Sequence, residues 1–344
     1  MQRRLFRLWY EQPSRFSLLQ PLSWLYGAAV SVRRMAYLRG WVRSYAINRP
    51  VIVVGNLTVG GTGKTPLTVW LANQLRQRGL TVGIVSRGYG REQSGLRVVS
   101  PDSLWQEVGD EPLILSRRTG CMTLVASDRV AAARELVARG VGVILADDGL
   151  QHLRLRRDCE ILVVDGTRGF GNGRMLPAGP LRESSSRARA ADAVVVNGGA
   201  EGEPPRGVSP ELAAAALRMR LVAGKARRVG VAGEPQPLEA FRGRRVHAVA
   251  GIGNPSRFFA DLRALGLEVI EHPFPDHHAF SPKDLDFRDG AAVLMTEKDA
   301  VKCQALTGSG LWYVPVEATF SEADSRRFLG LVMRTIESFV PAGG

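Results

Sequence analysis

Short apolar runs recur along the chain at 51–54, 81–85, 122–125, 141–145, 161–164 and 193–196. Each is rich in valine, isoleucine and leucine and bounded by glycine or polar residues, the pattern of a strand buried on both faces. Helical patterns lie between them, as at 129–139, and Leu67, Trp70, Leu71 and Leu75 follow the first run at helical spacing. This alternation predicts a parallel sheet covered by helices on both sides, with ligands at the C-terminal ends of its strands. Residues 198–245 change character: Gly198-Gly199, Pro204-Pro205, Pro210 and a basic run at 225–228 predict a linker with short strands. A second α/β unit follows, with strands at 246–250, 267–270, 292–295 and 312–316. The expected divisions are an N-terminal segment 1–45, a first α/β domain 46–200, the linker 201–243 and a second α/β domain 244–344.

The N-terminal segment reads differently. Residues 16–32 carry no charge, and Leu18, Leu22, Leu25 and Ala29 recur at helical spacing beside Trp24 and Tyr26. The stretch barely reaches the length of a membrane span, and Ser17, Gln20, Pro21 and Ser23 weaken that reading. Arg33 and Arg34 follow too closely for a secretory signal. Residues 1–50 hold nine arginines against a single acid, Glu11. Two places suit such a helix: the interface of an anionic membrane, towards which the basic flanks tilt it, and the core of its own domain.

Charge sharpens the picture. The net charge of +13 points to an anionic partner, a nucleic acid, an acidic lipid or a phosphorylated substrate, although arginines scattered along the whole chain also fit an arginine-rich proteome. The three cysteines, Cys121, Cys159 and Cys303, share no metal-ligand spacing and read as buried thiols of a cytoplasmic protein.

The chemistry collects at strand ends. After 51–54 the chain reads Gly55-Asn56-Leu57-Thr58-Val59-Gly60-Gly61-Thr62-Gly63-Lys64-Thr65-Pro66. A strand, a glycine loop and a helix make a phosphate cradle: glycines let the backbone N–H groups turn inward, Lys64 adds charge, and Thr65 supplies a hydroxyl for Mg²⁺. Thr58 stands where the common loop has its first glycine. The candidate nucleotide-binding residues are Thr58, Val59, Gly60, Gly61, Thr62, Gly63, Lys64 and Thr65. The run 141–145 leads into Ala146-Asp147-Asp148, an apolar strand ending in carboxylates, as a metal-binding aspartate beside such a loop requires. Val108-Gly109-Asp110-Glu111-Pro112 reads as a loop with an acidic pair, and Arg182 and Glu183 close a loop rich in proline and glycine. His277 follows Asp276 as a weak acid/base candidate.

Taken together these segments resemble the lipid A 4′-kinase (tetraacyldisaccharide 4′-kinase) family. The resemblance rests on 55–57 with 60–66, on Ser86-Arg87-Gly88-Tyr89-Gly90, and on 108–112. It continues through Asp147-Asp148-Gly149-Leu150-Gln151-His152, 176–183, Gly251-Ile252-Gly253-Asn254-Pro255, 275–278 and Thr296-Glu297-Lys298-Asp299-Ala300-Val301-Lys302. It spans almost the whole chain in order, and it matches least in the linker. It implies a P-loop NTPase-type parallel sheet domain, a second, smaller Rossmann-like α/β domain closing the active-site cleft, and an N-terminal amphipathic helix. It implies ATP-dependent transfer of the γ-phosphate to the 4′-hydroxyl of a tetraacylated glucosamine disaccharide 1-phosphate, with Mg²⁺. The implied setting is the cytoplasmic face of the bacterial inner membrane, peripheral or monotopic, against an anionic surface. By the same resemblance, Asp110 is the base with His277 as its partner, and Thr65, Asp148, Asp147 and Glu183 serve Mg²⁺. Arg129 and Arg182 then contact substrate.

Three other readings fit less well. Partitioning ATPases carry a lysine before the two glycines, where Val59 stands. A GTPase needs an Asn-Lys-x-Asp, which 296–299 echoes only faintly. A nucleic-acid binder needs basic and aromatic residues interleaved, and none are found.

Overall fold

The computed structural model describes residues 8–10, 18–92, 94–200, 202–231, 233–276, 278–304, 306 and 310–340. Nine strands form the large sheet: β1 (Val51–Gly55), β2 (Val82–Ser86), β3 (Arg97–Val99), β4 (Met122–Val125), β5 (Val143–Asp147), β6 (Cys159–Asp165), β7 (Ala193–Asn197), β8 (Leu217–Ala223) and β14 (Val316–Phe320). Their order is β14-β8-β7-β6-β1-β5-β2-β4-β3. The seven inner strands run parallel, and β3 and β14 close the two edges antiparallel. Every residue of β1 is buried. Val51 and Val53 face a core that includes Val130, Ala133 and Leu136, while Ile52 and Val54 face Leu67, Leu71 and Leu75. Helices on both faces explain why the strands read as unbroken apolar runs rather than as alternation.

The smaller sheet has the order β11-β10-β12-β13-β9, from β9 (Arg227–Arg228), β10 (Arg245–Ala250), β11 (Glu268–Pro273), β12 (Ala292–Thr296) and β13 (Leu311–Val314). The single strand expected at 312–316 is two strands. Pro315 has no N–H for a ladder, so β13 ends before it in the small sheet and β14 begins after it on the edge of the large one. The C-terminal helix Glu322–Glu337 follows β14, and its Phe328 stacks on Trp70 at 5.6 Å. The last part of the 244–344 stretch thus completes the large sheet, as does β8 from within the expected linker.

Helix α1 (Gln20–Leu38) opens with Pro21 in its first turn. One side docks on the loop leading into Glu183: Ser23 Oγ donates to the Met175 carbonyl at 2.8 Å and Tyr26 Oη to the Arg182 carbonyl at 3.1 Å. The other side leaves Leu22, Trp24, Leu25 and Val32 exposed, Trp24 by 66%. No helix among the described residues is long and apolar enough to cross a membrane.

Candidate active site

The glycine loop joins β1 to α2 (Lys64–Gln77) and is held from outside by its carbonyls. Asn56 Nδ2 donates to the Thr58 carbonyl at 2.8 Å and Asn197 Nδ2 to the Thr62 carbonyl at 3.0 Å, while Arg168 donates to the Gly61 carbonyl. With the carbonyls fixed outward, the alternate peptide N–H groups turn towards the hollow of the loop. Gly63 caps α2 with φ 96°, and a Cβ there would lie 2.7 Å from Asn197 Nδ2, so only glycine fits. Thr58 forms a bridge with Leu181, and the Val59 N–H donates to Pro180 at 2.9 Å. Val59 lines the loop with its amide already taken; Gly60, Gly61, Thr62 and Gly63 form the curl, and Thr65 follows Lys64 in the first turn of α2.

β5 lies beside β1 with Asp147 opposite Val54, which carries its carboxylate to the foot of the loop. Asp147 is fully buried. Its Oδ1 accepts from Thr68 Oγ1 of α2 at 3.1 Å, and its Oδ2 has no hydrogen-bond partner among the described residues. Burial above all, then Glu111 and Asp148, pushes its pKa up to about 7. Asp148 takes a left-handed turn, φ 48°, and swings to the other side. There it meets Lys64 Nζ at 3.4 Å and Arg182 Nη1 at 3.3 Å. Burial raises its pKa, but Lys64, Arg182 and Arg129 outweigh burial and hold it at about 2. Lys64 also donates to Asn56 Oδ1 at 3.1 Å.

Arg129 begins helix α5 (Arg129–Ala138), whose N-cap Asp128 accepts from the Val130 N–H at 3.0 Å. The arginine is only 3% exposed, and none of its three guanidinium nitrogens has a hydrogen-bond partner among the described residues. Burial lowers its pKa to about 10 against the pull of Asp148 and Asp147, so it remains charged at neutral pH. Glu183 lies behind the loop. Its Oε1 accepts from Gln151 Nε2 at 2.9 Å, and Gln151 also donates to the Asn56 carbonyl at 3.2 Å; Arg187 Nε stands 3.8 Å from the other oxygen.

Asp110 is not in a loop, as expected, but opens helix α4 (Asp110–Thr119) after the short helix α3 (Trp105–Val108). Gly109, φ 91°, turns the chain between them, Pro112 sits in the first turn where its missing N–H is harmless, and two acids at a helix N-terminus complement the dipole. Asp110 is 4% exposed; its Oδ1 accepts from the Glu111 N–H at 2.9 Å and its Oδ2 lies 3.8 Å from Lys298 Nζ. His277 lies outside the described residues.

Lys64, Asp147, Asp148, Arg129 and Arg182 therefore converge on the loop, Glu183 supports it through Gln151, and Asp110 approaches from α4. Six contributors escaped the sequence reading: Asn56, Thr68, Gln151, Arg168, Asn197 and Lys298. Lys298 stands in the 296–302 segment, Gln151 in 147–152 and Asn56 in 55–57, all of which carried the resemblance without a role being assigned. Nothing in the sequence singles out Thr68, Arg168 or Asn197. Asp147 Oδ2, buried and without a hydrogen-bond partner among the described residues, is a hard oxygen donor of the kind Mg²⁺ takes.

A family model described as tetraacyldisaccharide-1-P 4′-kinase matches residues 15–334. The tetraacyldisaccharide 4′-kinase of Methylobacillus flagellatus is 47% identical over 337 residues, 97% of each chain. That of Alkalilimnicola ehrlichii is 50% identical over 322 residues, 93% of this chain and 94% of that one. Among solved structures, LpxK from Aquifex aeolicus, crystallised in complex with ATP, aligns with a TM-score of 0.75 and 30% identity, covering 92% of this chain and 98% of that one.

Proposed function

The chain belongs to the tetraacyldisaccharide-1-P 4′-kinase family, and we propose that its residues divide the work of phosphoryl transfer between the glycine loop and Asp110. The reaction moves the γ-phosphate of ATP onto the 4′-hydroxyl of a tetraacylated glucosamine disaccharide 1-phosphate, a late step of lipid A biosynthesis. Such a transfer needs alignment and charge neutralisation more than covalent help from the protein. The amides from Gly60 onward and Lys64 hold the triphosphate. Asp147, Thr65 and Asp148 would hold Mg²⁺, which would supply charge neutralisation at the phosphate oxygens. Glu183 fixes the loop through Gln151. Arg129 and Arg182 pair with oxygens of the transferred phosphate or of the acceptor.

The acceptor hydroxyl attacks phosphorus as the bond to ADP breaks, and its proton passes to the Asp110 carboxylate, which His277 relieves of it. The observation that carries this reading is that two buried ionisable groups near the loop, Asp147 Oδ2 and the Arg129 guanidinium, have no hydrogen-bond partner among the described residues. A fold keeps an uncompensated buried charge at a loss in stability, and ligands of opposite sign remove that loss. A transfer assay from γ-labelled ATP to the lipid acceptor tests it. Lys64→Ala, Thr65→Ala and Asp147→Asn are expected to lose about 10²–10³ in kcat, and turnover near wild type in any of them contradicts its part of the assignment.

The exposed side of α1 rests in the interface of an anionic membrane. Its apolar residues are flanked by Arg33, Arg34, Arg39 and Arg43, and its inner side touches the site loop, with Arg33 donating to the Gln151 carbonyl at 3.1 Å. A helix with one side on lipid and the other on the loop ending in Arg182 and Glu183 brings a lipid headgroup to the loop without a separate carrier.

A further inference from the structure

Lys298 stands where the two sheets meet. It belongs to the single helical turn α9 (Glu297–Ala300) that follows β12, numbered after helices Pro210–Ala215 (α6), Pro255–Ala264 (α7) and Pro282–Leu285 (α8). Three carboxylates surround its ammonium: Glu111 Oε1 at 3.6 Å and Asp110 Oδ2 at 3.8 Å, both on α4, and Asp276 Oδ1 at 3.7 Å, from the loop after β11.

The turn that carries it is fixed at several points. Thr296 Oγ1 donates to Asp299 Oδ2 at 2.6 Å, the Gly251 N–H donates to the same oxygen at 2.9 Å, and Arg118 of α4 donates to Glu297 Oε2 at 3.0 Å. The segment's other lysine, Lys302, is wholly buried against Asp299 Oδ1 at 3.3 Å. Lys302 thus answers the structural carboxylate, and Lys298 turns outward to the acids of the site. Burial disfavours its ammonium, but Asp110, Glu111, Asp276 and Asp299 outweigh burial and raise its pKa, so it stays charged.

We propose that Lys298 is a positioning residue for phosphoryl transfer. It holds the Asp110 carboxylate ionised and oriented, and ties to it Asp276 in the loop after β11. The inference rests on the reading of Asp110 as the base. Glu111 stands beside Asp110 on its own helix, Lys298 faces it from α9 and, beyond the ammonium, lie Asp276 and Asp299. Without the ammonium each of these like charges makes the base harder to ionise. Such a cluster also repels the incoming triphosphate and acceptor phosphate.

The test compares Lys298→Met, Lys298→Arg, Asp110→Asn and the Asp110→Asn/Lys298→Met double variant in the full chain, by kcat, KM for ATP, the pH profile of kcat/KM and the thermal midpoint. Lys298→Met is expected to lower kcat by about tenfold to a hundredfold, below the about 10²–10⁴ that a positioned base supplies. It should also move the acid limb to higher pH by about one unit. Lys298→Arg, which restores the charge, should recover most of the rate and return the limb. The double variant should be no slower than Asp110→Asn. If Asp110→Asn is crippled while Lys298→Met keeps the wild-type rate and limb, the inference is overturned and the base reading stands. If Lys298→Met and Lys298→Arg lose rate equally with the limb unmoved, the lysine is structural and the inference is again overturned. If Asp110→Asn itself turns over at the wild-type rate, the base reading falls and takes the inference with it.

Discussion

At the scale of one side chain, Arg129 carries the stability cost that the proposed phosphate contact implies. A guanidinium 3% exposed with no hydrogen-bond partner among the described residues is an unfavourable thing to fold around. Replacing it with an apolar residue of similar length removes that burden together with the proposed anion contact. Arg129→Met is therefore expected to keep or raise the thermal midpoint of the ligand-free protein and to lower kcat/KM by about 10² or more, like the loss of any buried donor to a reacting phosphate. A fall in the midpoint with activity retained would make Arg129 a structural residue.

His152 gives a second residue-scale prediction. Burial, then Arg129 and Arg87, lowers its pKa to about 3. Above about pH 6.5 both folded and unfolded chains hold it neutral. Below that, the unfolded chain binds a proton that the folded one excludes, so stability is lost as pH falls from about 6.5 towards about 3. Denaturant titrations across that window should show the slope flatten by about one proton in His152→Gln. An unchanged slope would show that the imidazole titrates freely in the fold.

The elements differ in how far the sequence discloses them. The buried strands are legible because two covered faces demand unbroken runs of valine, isoleucine and leucine, and β4 falls on the residues expected for it, Met122–Val125. The start of α4 is hidden because Gly109 and Pro112 read as breakers, although both positions suit a helix N-terminus. The split at Pro315 is hidden because one apolar run feeds two sheets, and only tertiary pairing assigns the halves. Within the site, Lys64, Asp147 and Asp148 are legible from their place after a strand. Lys298, Arg168 and Asn197 are not, because their partners lie far away in sequence: Asn197 reaches the Thr62 carbonyl and Lys298 the Asp110 carboxylate.

Helix α1 carries its own prediction. Its inner side holds the site loop through Ser23, Tyr26 and Arg33, so deleting it would damage the loop along with the proposed membrane contact. Substituting the outer side separates the two. Trp24→Glu with Leu25→Glu is expected to release the protein from sedimenting anionic vesicles and to raise KM for lipid in mixed micelles while leaving ATP affinity unchanged. Undiminished sedimentation would remove α1 from the membrane contact.

At the scale of the whole molecule, the site is assembled by two sheets. The large one supplies the loop, Asp147, Asp148 and, on α4, Asp110; the small one supplies Lys298 and, in the loop after β11, Asp276. A small apolar cluster in which Val301 packs with Val108, Leu113 and Ile114, together with the Arg118–Glu297 pair, joins the halves beside Asp110. Asp110 stands at the junction rather than in the loop itself, and the proposed division of labour assigns holding the phosphate to the loop and removing the proton to Asp110. The most direct measurement of that separation is single-turnover phosphoryl transfer by Asp110→Asn, His277→Ala and the double variant, beside ATP binding by calorimetry. The expected result is a loss of about 10²–10⁴ in rate for Asp110→Asn with ATP affinity unchanged, and a double variant far less impaired than the product of the single losses. A rate near wild type, or a collapse of ATP affinity in Asp110→Asn, would contradict it and make Asp110 a bystander or a nucleotide-binding group.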